Sequence, residues 1–509
     1  MTGKVWLVGA GPGDIGLLTL RGKQVLERSE VVVYDALVGE SILSLIPERA
    51  QCIFAGKRAG HHYLSQEETN RVLLEKALEG RQVVRLKGGD PFLFGRGGEE
   101  LELLAENGIP FEIVPGVTSA FAVPAYNGIP VTHRDCCSSV HVVTGHRRAA
   151  QSYDIDFQAL VRTGGTLVFL MGLAAMEDIC RGLLAAGMDP DMPAAVLQQG
   201  TTAGQRRVIA TLSTLQEKSA NAAIKPPAIL LVGRVCTLAE RFGWYEKRPL
   251  AGVRVLVTRP RESASALSAL LRERGAEVLE HPAIATRPLE DGALETHLRL
   301  LTEGKYDWLV FTSPAGVRIF FEALMEISDV RCLGKIRTAA IGQGTEKALR
   351  QYGLRADFVP SVYDARTLGR ELASVCAPGD RLLIPRAAQG SPELLEGLRS
   401  GNGLRLTDLP TYETVAIPPR CIDLRGALEG GALDLAIFTS ASTVRAFVGS
   451  VGDMDYQKVR AVCIGGQTRA AAEAYGMQTW TAEKATLEAL ADCAERAARE
   501  IKEQGEKQI

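Results

Sequence analysis

Short apolar runs of strand length alternate with longer amphipathic stretches along almost the whole chain. The amphipathic stretches at residues 66–79 and 99–107 carry apolar side chains at helical spacing. Strands that alternate with helices are typical of layered architectures, so the sequence predicts an α/β fold from end to end. The clearest strand candidates lie at residues 5–8, 31–34, 83–86, 140–144, 167–171 and 229–232.

The alternation is interrupted at residues 242–250, which have the character of a short linker, and a new strand pattern starts at Val253. Beyond this linker the sequence contains an internal repeat. Three matches in the same order favour two α/β lobes of about 125 residues each. Residues 254–259 correspond to 381–386, residues 311–318 to 438–445, and residues 340–345 to 463–468.

Composition and charge exclude several classes of protein. The 509 residues are 46% hydrophobic and 23% charged, which is typical of a globular chain long enough for more than one domain. Lys and Arg number 58 against 60 Asp and Glu, and this balance excludes the basic excess of a nucleic-acid-binding surface. No apolar run could cross a bilayer and the first residues lack a signal-peptide layout, so we expect a cytoplasmic location.

Cysteine and histidine usage predicts no metal centre. The ten cysteines are scattered, with only Cys136 and Cys137 adjacent, and none has the spacing of zinc ligands. We therefore expect free thiols rather than a disulfide framework. The pair His61-His62 has no partner at a ligand spacing, so no metal is predicted there either.

A glycine loop after the first predicted strand resembles a dinucleotide-binding turn in outline. Gly9-Ala10-Gly11-Pro12-Gly13-Asp14 follows residues 5–8, and Asp35 ends the second strand. In the dinucleotide motif the third glycine opens a helix, whereas here that position is Asp14, whose carboxylate would repel a pyrophosphate. The loop is therefore predicted to serve another ligand.

Two further glycine motifs follow later strands: Lys87-Gly88-Gly89-Asp90-Pro91-Phe92 with Phe94-Gly95-Arg96-Gly97-Gly98, and Val114-Pro115-Gly116-Val117-Thr118-Ser119. Each alone could be a tight turn, but such clusters also expose backbone groups to small polar ligands. Together with the first loop, they resemble the tetrapyrrole methylases over residues 3–245. That family binds S-adenosylmethionine between two α/β domains, and the similarity is strongest to its uroporphyrinogen-III C-methyltransferase branch.

The resemblance implies a role for particular residues. Asp35 matches the family's proton acceptor and Lys57 its proton donor. The family also implies a homodimer formed through the N-terminal half. The positions that would contact the methyl donor are Pro12, Gly88, Gly89, Asp90, Leu93, Thr118, Ser119, Met171 and Gly200.

These residue types suit methylation of a pyrrole carbon. A sulfonium methyl is already activated, so the protein mainly has to align it with the carbon. The methylated ring must then lose a proton, for which a carboxylate such as Asp35 is a suitable base. The eight carboxylates of uroporphyrinogen call for basic side chains. The candidates that flank the motifs are Lys57, Arg58, Arg96, His133 and Arg134, of which Arg96 and Arg134 are the predicted substrate contacts.

In the C-terminal half, the hydroxyl pairs Thr312-Ser313 and Thr439-Ser440 each end a predicted strand. There they could cap the following helices or, with the helix N-termini, bind carboxylates. With the motifs Val257-Thr258-Arg259-Pro260 and Leu409-Pro410-Thr411-Tyr412, they resemble uroporphyrinogen-III synthases over residues 251–500. This family implies that one lobe combines residues 251–286 with 416–502, while the other is formed by 287–415.

The synthase family closes the linear tetrapyrrole hydroxymethylbilane with inversion of its last ring and uses no cofactor. Tyr412 matches the tyrosine that assists departure of the substrate hydroxyl. Gly465 would add a backbone N–H, and Arg259 and Arg386 could contribute or form structural ion pairs. The substrate carboxylates would be held by Thr312, Ser313, Gly342, Thr439, Ser440 and Ser442.

The sequence thus predicts a two-domain tetrapyrrole methylase (1–247) followed by a bilobed uroporphyrinogen-III synthase (251–502). The fusion would make uroporphyrinogen III and methylate it at C-2 and C-7 with two S-adenosylmethionine molecules to give precorrin-2, on the route to sirohaem and cobalamin. One alternative is methylation of a later corrin precursor. Another is a C-terminal half that binds tetrapyrrole without catalysis.

Overall fold

The computed structural model describes residues 2–56, 64–145, 155–258, 261–282, 284–400, 403–416 and 421–506. The chain forms two compact units. The larger unit contains Met1–Ala283 and Pro418–Ile509, and the smaller unit contains Ile284–Ile417. Because the chain leaves the larger unit and later returns to it, the C-terminal half is divided between the two units.

The first sheet of the larger unit consists of five parallel strands in the order β3-β2-β4-β1-β5. The carboxyl ends of β4, β1 and β5 are therefore neighbours, which is where parallel α/β sheets bind ligands. The strands are β1 (Lys4–Gly9), β2 (Val31–Tyr34), β3 (Gln51–Phe54), β4 (Gln82–Lys87) and β5 (Phe111–Val114). The helices are α1 (Leu20–Leu26), α2 (Glu40–Leu43), α3 (Gln66–Leu78), α4 (Gly97–Glu106) and α5 (Ser119–Tyr126).

The second sheet has the order β6-β7-β10-β8-β9 and is mixed. β10 runs antiparallel to both β7 and β8, so the carboxyl ends of β7 and β8 point to the same edge. The strands are β6 (Val140–Thr144), β7 (Thr166–Leu170), β8 (Pro193–Gln198), β9 (Arg206–Thr211) and β10 (Ala228–Val232). The helices are α6 (Phe157–Thr163), α7 (Met176–Ala185), α8 (Leu215–Asn221) and α9 (Ala239–Phe242).

The strands of the C-terminal half form two more sheets, β12-β11-β18-β19-β20 in the larger unit and β13-β17-β16-β14-β15 in the smaller one. In chain order they are β11 (Arg254–Val257), β12 (Glu277–Glu280), β13 (Ile284–Pro288), β14 (Trp308–Phe311), β15 (Arg337–Ala340), β16 (Arg381–Ala387), β17 (Arg405–Ala416), β18 (Leu435–Phe438), β19 (Arg460–Cys463) and β20 (Gln478–Thr481).

The helices of this half are α10 (Arg261–Glu273), α11 (Ala293–Thr302), α12 (Pro314–Ile327), α13 (Gln343–Gln351), α14 (Ala365–Val375), α15 (Glu393–Arg399), α16 (Leu424–Glu429), α17 (Ala441–Val451), α18 (Gly466–Glu473) and α19 (Leu487–Glu506).

The segment β14-α12-β15-α13 recurs as β18-α17-β19-α18, which confirms the predicted repeat. Because β11 pairs with β18 in one sheet while β13 pairs with β17 in the other, the bilobed α/β organisation is confirmed as well.

The expectation that all cysteines are free is wrong for two of them. Cys52 in β3 and Cys421, just before α16, form a disulfide with a Cα–Cα distance of 6.3 Å. They are separated by 369 residues, so no local spacing could reveal the pair. The hydroxyl of Tyr34 donates to the carbonyl oxygen of Cys421 at 3.4 Å beside this bond. The first sheet is thus covalently joined to the segment that re-enters the larger unit.

Neither a membrane span nor a metal cluster is present in the part of the chain that the structure describes. None of the helices there combines the length and the hydropathy that a bilayer crossing requires. Within those ranges, no group of three or more His, Cys, Asp or Glu side chains is placed to hold a metal ion. His61 and His62 lie outside the described residues.

Candidate active sites

The loops that follow β1, β4 and β5 contact each other backbone to backbone. The N–H of Gly11 donates to the carbonyl of Gly89 at 3.1 Å, and the N–H of Gly89 donates back to Gly11 at 2.7 Å. A Cβ atom on Gly116 would lie only 2.2 Å from the carbonyl oxygen of Gly89. Glycine is therefore required where the third loop crosses the second, and the sequence motifs converge on one edge of the sheet.

Asp90 ties the second and third loops together. Its Oδ1 accepts from the backbone N–H groups of Phe92 at 2.8 Å and Leu93 at 3.1 Å, and its Oδ2 accepts from Gly116 N–H at 3.0 Å. Both carboxylate oxygens are thus used by the protein. The described contacts give Asp90 a role in holding the loops, while its predicted contact with the methyl donor stays a prediction.

A Cβ atom at Gly89 would meet no close protein contact. Gly89 has a φ of 69°, and the nearest heavy atom to a Cβ built there is the backbone nitrogen of Ser119 at 4.0 Å. Ser119 is the first residue of α5, so the N-terminus of this helix lies next to Gly89, and Thr118 caps the helix by accepting from Ala120 N–H at 3.2 Å. Phe92, three residues after Gly89, is more than half exposed. Backbone N–H groups beside an exposed apolar side chain fit a ligand such as S-adenosylmethionine, which has a charged amino-acid end and an apolar ring.

The first loop, with the part-buried Pro12, also contacts the segment of residues 199–203, which we call the β8 loop. The N–H of Asp14 donates to Thr201 Oγ1 at 3.2 Å. The carboxylate of Asp14 accepts from Gly16 N–H at 2.7 Å and from the Tyr126 hydroxyl at 2.8 Å. The Asp14 carboxylate thus caps the turn that follows the first loop and lies where a dinucleotide-binding loop would have its third glycine.

The two later donor positions, Gly200 and Met171, lie after β8 and β7. A Cβ on Gly200 would contact Val123 of α5 at 2.4 Å, so the β8 loop packs tightly against that helix. Met171 has a φ of 55° and is half exposed at the end of β7. The structure therefore brings Gly200 to the first loop and to α5, while the predicted contact of Met171 with the methyl donor stays a prediction.

Asp35, the predicted proton acceptor, lies at the end of β2, next to β4 in the sheet. Its Oδ1 accepts from Leu37 N–H at 3.0 Å, and its Oδ2 lies 3.6 Å from an Nη atom of Arg85. The side chain is 23% exposed, so it is held in place yet accessible. Lys57, the predicted proton donor, and Arg58 lie outside the described residues.

A buried charged cluster behind Asp35 is absent from the sequence predictions. Arg85 Nε lies 3.0 Å and Lys87 Nζ 2.8 Å from the same Oε1 atom of Glu100, which is fully buried. Burial and the neighbouring Arg85 lower the pKa of Lys87. Arg85 and Lys87 are two positions apart in the mostly apolar strand β4, so both side chains face the same side of the sheet. This pattern of two cations on one face is the sequence signal from which the cluster could have been predicted.

The predicted substrate contacts Arg96 and Arg134 lie on the surface. Arg96 has a φ of 58°, and its guanidinium forms a two-point contact with Glu99 at 2.6 and 2.9 Å. Arg134 is exposed, and the neighbouring His133 accepts from Asp135 N–H at 3.2 Å. A substrate carboxylate would compete with Glu99 for Arg96, and neither arginine has a contact with Asp35 in the described residues.

In the smaller unit, the hydroxyl oxygens of Tyr412 and Ser313 lie 2.7 Å apart. Tyr412 is 5% exposed, and burial raises its pKa. Ser313 also caps α12 by accepting from Gly316 N–H at 2.9 Å, with Thr312 directly before it. Gly342 precedes α13, the next helix of the repeat. The structure thus brings Tyr412 to one of the two predicted hydroxyl turns.

The second hydroxyl turn lies in the larger unit. Ser440 caps α17 by accepting from Thr443 N–H at 3.2 Å, and its Oγ lies 2.8 Å from Ser442 Oγ. Thr439 directly follows β18 and Gly465 precedes α18, as Thr312 and Gly342 do with β14 and α13 in the other copy. Helix capping, one of the two alternatives, is therefore present in both copies. It leaves the predicted binding of carboxylates open.

Of the two arginines considered for the synthase half, Arg386 forms a structural ion pair. It is buried in β16, and its Nη2 donates to Asp408 Oδ2 at 2.7 Å. The hydrogen bond with Asp408 raises the pKa of Arg386. Arg259 lies outside the described residues.

Two family models match the chain, one in each half. Residues 4–216 match the family of tetrapyrrole (corrin/porphyrin) methylases, and residues 265–492 match uroporphyrinogen-III synthase HemD. The chain is 45% identical over 491 residues to "Porphyrin biosynthesis protein HemD" of Ruminiclostridium josui. The matched region covers 96% of this chain and 97% of that protein. The chain is also 40% identical over 362 residues to the uroporphyrinogen-III C-methyltransferase of Bacillus subtilis, covering 71% of this chain and 73% of that protein.

A solved structure also resembles the N-terminal half. It is a uroporphyrin-III C-methyl transferase from Thermus thermophilus complexed with S-adenyl homocysteine, with 39% identity and a TM-score of 0.40, covering 46% of this chain and 99% of that one. The similarity to the Ruminiclostridium josui protein extends over nearly both whole chains. The chain therefore belongs to the family that joins a tetrapyrrole methylase to a uroporphyrinogen-III synthase, and it is a bifunctional enzyme of porphyrin biosynthesis.

Proposed function

We propose that residues 251–502 close hydroxymethylbilane to uroporphyrinogen III and that residues 1–247 methylate this product at C-2 and C-7, giving precorrin-2. The observation that carries the methylation step is the convergence of the three glycine loops at one sheet edge, with Asp35 on the adjacent strand β2. Family membership supports both activities, and the helix N-terminus next to Gly89 supports S-adenosylmethionine as the donor.

In methylation, S-adenosylmethionine supplies a methyl group that is bound to a positively charged sulfur. The sulfur keeps the electron pair when the carbon–sulfur bond breaks and leaves as a neutral thioether. The loops align that methyl group with a pyrrole carbon. Methylation leaves the tetrapyrrole with a positive charge, and Asp35 Oδ2 then accepts the proton that it must lose to become neutral again. Arg85, itself held by Glu100, orients this oxygen, and Leu37 N–H holds the other one.

In ring closure, the substrate loses its terminal hydroxyl as water, and the resulting cation is attacked by a pyrrole carbon. Tyr412 donates a proton to the departing hydroxyl, with Ser313 at 2.7 Å to orient the phenol. Because burial raises its pKa, the phenol is protonated at neutral pH. In the smaller unit, which contains Tyr412, the first turns of α12 and α13 offer backbone N–H groups to substrate carboxylates.

The decisive experiment supplies hydroxymethylbilane to the purified full chain with and without S-adenosylmethionine, followed by chromatography and mass analysis. We expect mainly the type III isomer without the donor and a gain of two methyl groups with it. If the spontaneous type I isomer is the only product, the C-terminal half binds tetrapyrrole without catalysing ring closure. Failure to methylate supplied uroporphyrinogen III would favour a later corrin precursor as the substrate.

Tyr412→Phe should slow formation of the type III isomer by about 10-fold or more, because the variant keeps the ring but loses the proton donor. The rate is measured on the full chain with hydroxymethylbilane. Tyr352→Phe is the matched control, since Tyr352 stacks on Phe321 in the same unit with ring centroids 4.6 Å apart and has no proposed role. An unchanged rate for Tyr412→Phe would remove the phenol from the mechanism.

The proposal includes a homodimer formed through the N-terminal half. Large apolar side chains on that half are exposed, among them Leu20 at 82%, Phe94 at 41% and Phe121 at 46%. Side chains of this kind mark a protein-binding surface where they form a contiguous patch, and the proposal takes them to be covered by the second subunit. Light scattering on the full chain would give the mass that decides between monomer and dimer.

A further inference from the structure

The β8 loop, which contains the donor position Gly200, is held by a side chain from the other half of the chain. Ala203 N–H, at the end of this loop, donates to Glu277 Oε2 at 2.8 Å. Glu277 is the first residue of β12, in the sheet that β11 and β12 share with β18 to β20. Both residues lie in the larger unit, so the contact is made within one compact body.

Glu277 is itself fixed in position. Its other oxygen, Oε1, accepts from Arg254 Nε at 3.0 Å and from an Arg254 Nη at 2.8 Å, and its side chain is only 13% exposed. The N–H of Arg254 donates to Asp434 at 2.7 Å, and its guanidinium lies 3.6 Å from Glu40 of α2. Both carboxylate oxygens of Glu277 are therefore used, one for its own sheet and one for the β8 loop.

The β8 loop needs such support because its backbone is unusual. Gln199 and Thr201 have φ values of 43° and 72°, which residues other than glycine seldom adopt and which persist only where neighbouring contacts impose them. Thr201 accepts from Asp14 N–H in the first donor loop. A displacement of Ala203 would therefore move Thr201. Through the backbone it would also move Gly200, and through the hydrogen bond of Thr201 it would move Asp14.

We infer that Glu277, a residue of the synthase half, is a positioning residue for S-adenosylmethionine binding in the methyltransferase half. It acts through the backbone of the β8 loop and does not itself contact the donor. The fused synthase lobe thereby completes the support of the methyltransferase's donor site. This inference rests on the proposed function, because it takes the β8 loop to be part of the donor site.

The test measures binding of S-adenosylhomocysteine to the full chain by calorimetry, together with the kinetics of methyl transfer to uroporphyrinogen III. Glu277→Ala should raise the Kd of this probe and the KM for S-adenosylmethionine about 10-fold, because one hydrogen bond to a charged acceptor is lost. The kcat at saturating donor and the rate of ring closure should change less than about twofold. Glu277→Gln keeps an oxygen acceptor and should recover part of the affinity.

Glu280→Ala is the matched control, since Glu280 lies on the same strand and pairs with Arg272 at 3.0 Å instead of the β8 loop. It should leave the Kd unchanged. Equal binding by the wild type and Glu277→Ala would overturn the inference, as would an equal loss of affinity in Glu280→Ala. If Glu277→Ala does not fold, Glu277→Asp replaces it, because its shorter side chain keeps the charge but withdraws the carboxylate from Ala203 N–H. An unchanged Kd together with an unchanged KM in Glu277→Asp would then overturn the inference. A wild-type chain that binds no S-adenosylhomocysteine would instead contradict the proposed function.

Discussion

Asp35→Asn should lower the kcat of methyl transfer by about 10²–10³-fold while leaving ring closure at the wild-type rate, because a general base contributes on this scale. The asparagine keeps an oxygen that can accept from Leu37 N–H, as Asp35 Oδ1 does at 3.0 Å, so the local turn is preserved. It cannot take up the proton that the methylated ring must release. Methyl incorporation into uroporphyrinogen III and type III formation from hydroxymethylbilane are measured on the same preparation.

The control for this variant is Asp189→Asn. Asp189 accepts from the N–H two residues later at 2.9 Å, in the same kind of turn as Asp35, but it is exposed and belongs to no candidate site. It should leave both activities unchanged. An equal loss of both activities in Asp35→Asn would contradict the division of labour between the halves, and normal methylation would exclude Asp35 as the base.

The second large effect is expected for Gly116→Ala, which should weaken S-adenosylhomocysteine binding by about 10- to 100-fold. The added Cβ would lie 2.2 Å from the Gly89 carbonyl oxygen, and because that atom is backbone the two loops must separate. Overpacking of this kind costs about 1–3 kcal/mol, and here the cost is borne by the loops that line the donor site. Calorimetry with the probe and a thermal unfolding curve give the two quantities needed.

Gly98→Ala is the matched control for this substitution. No heavy atom lies within 4 Å of a Cβ built on Gly98, which belongs to the first turn of α4. It should bind the probe as the wild type does. If Gly116→Ala also bound normally, the close packing of the second and third loops would not matter for the donor site.

Much of the methyltransferase site could be predicted because its residues come in short motifs at strand ends. Parallel strands place their carboxyl ends at one edge, so Gly11, Gly89, Gly116 and Asp35 could be assigned to a common region from the sequence alone. The detailed roles were less accessible. Asp90 matches a donor contact in the motif, yet its carboxylate oxygens accept three backbone N–H groups of the loops.

The buried cluster of Arg85, Lys87 and Glu100 could not be predicted with the same ease. Charged residues in a strand are usually solvated, and only the packing of α4 on the sheet shows that Glu100 lies between the two cations. The network then explains how Asp35 is held, because Arg85 contacts both Glu100 and Asp35.

The α/β fold, the internal repeat, the three glycine loops and the resemblance to two families could all be recognised from the order of the residues. These features are encoded locally, in hydrophobic periodicity and in turns where only certain residue types are tolerated. Folding in three dimensions was needed to show that Cys52 bonds to Cys421, that Tyr412 contacts Ser313 and that Glu277 holds the β8 loop. Such contacts join residues 74 to 369 positions apart, and their geometry depends on how whole sheets pack, which no local pattern records.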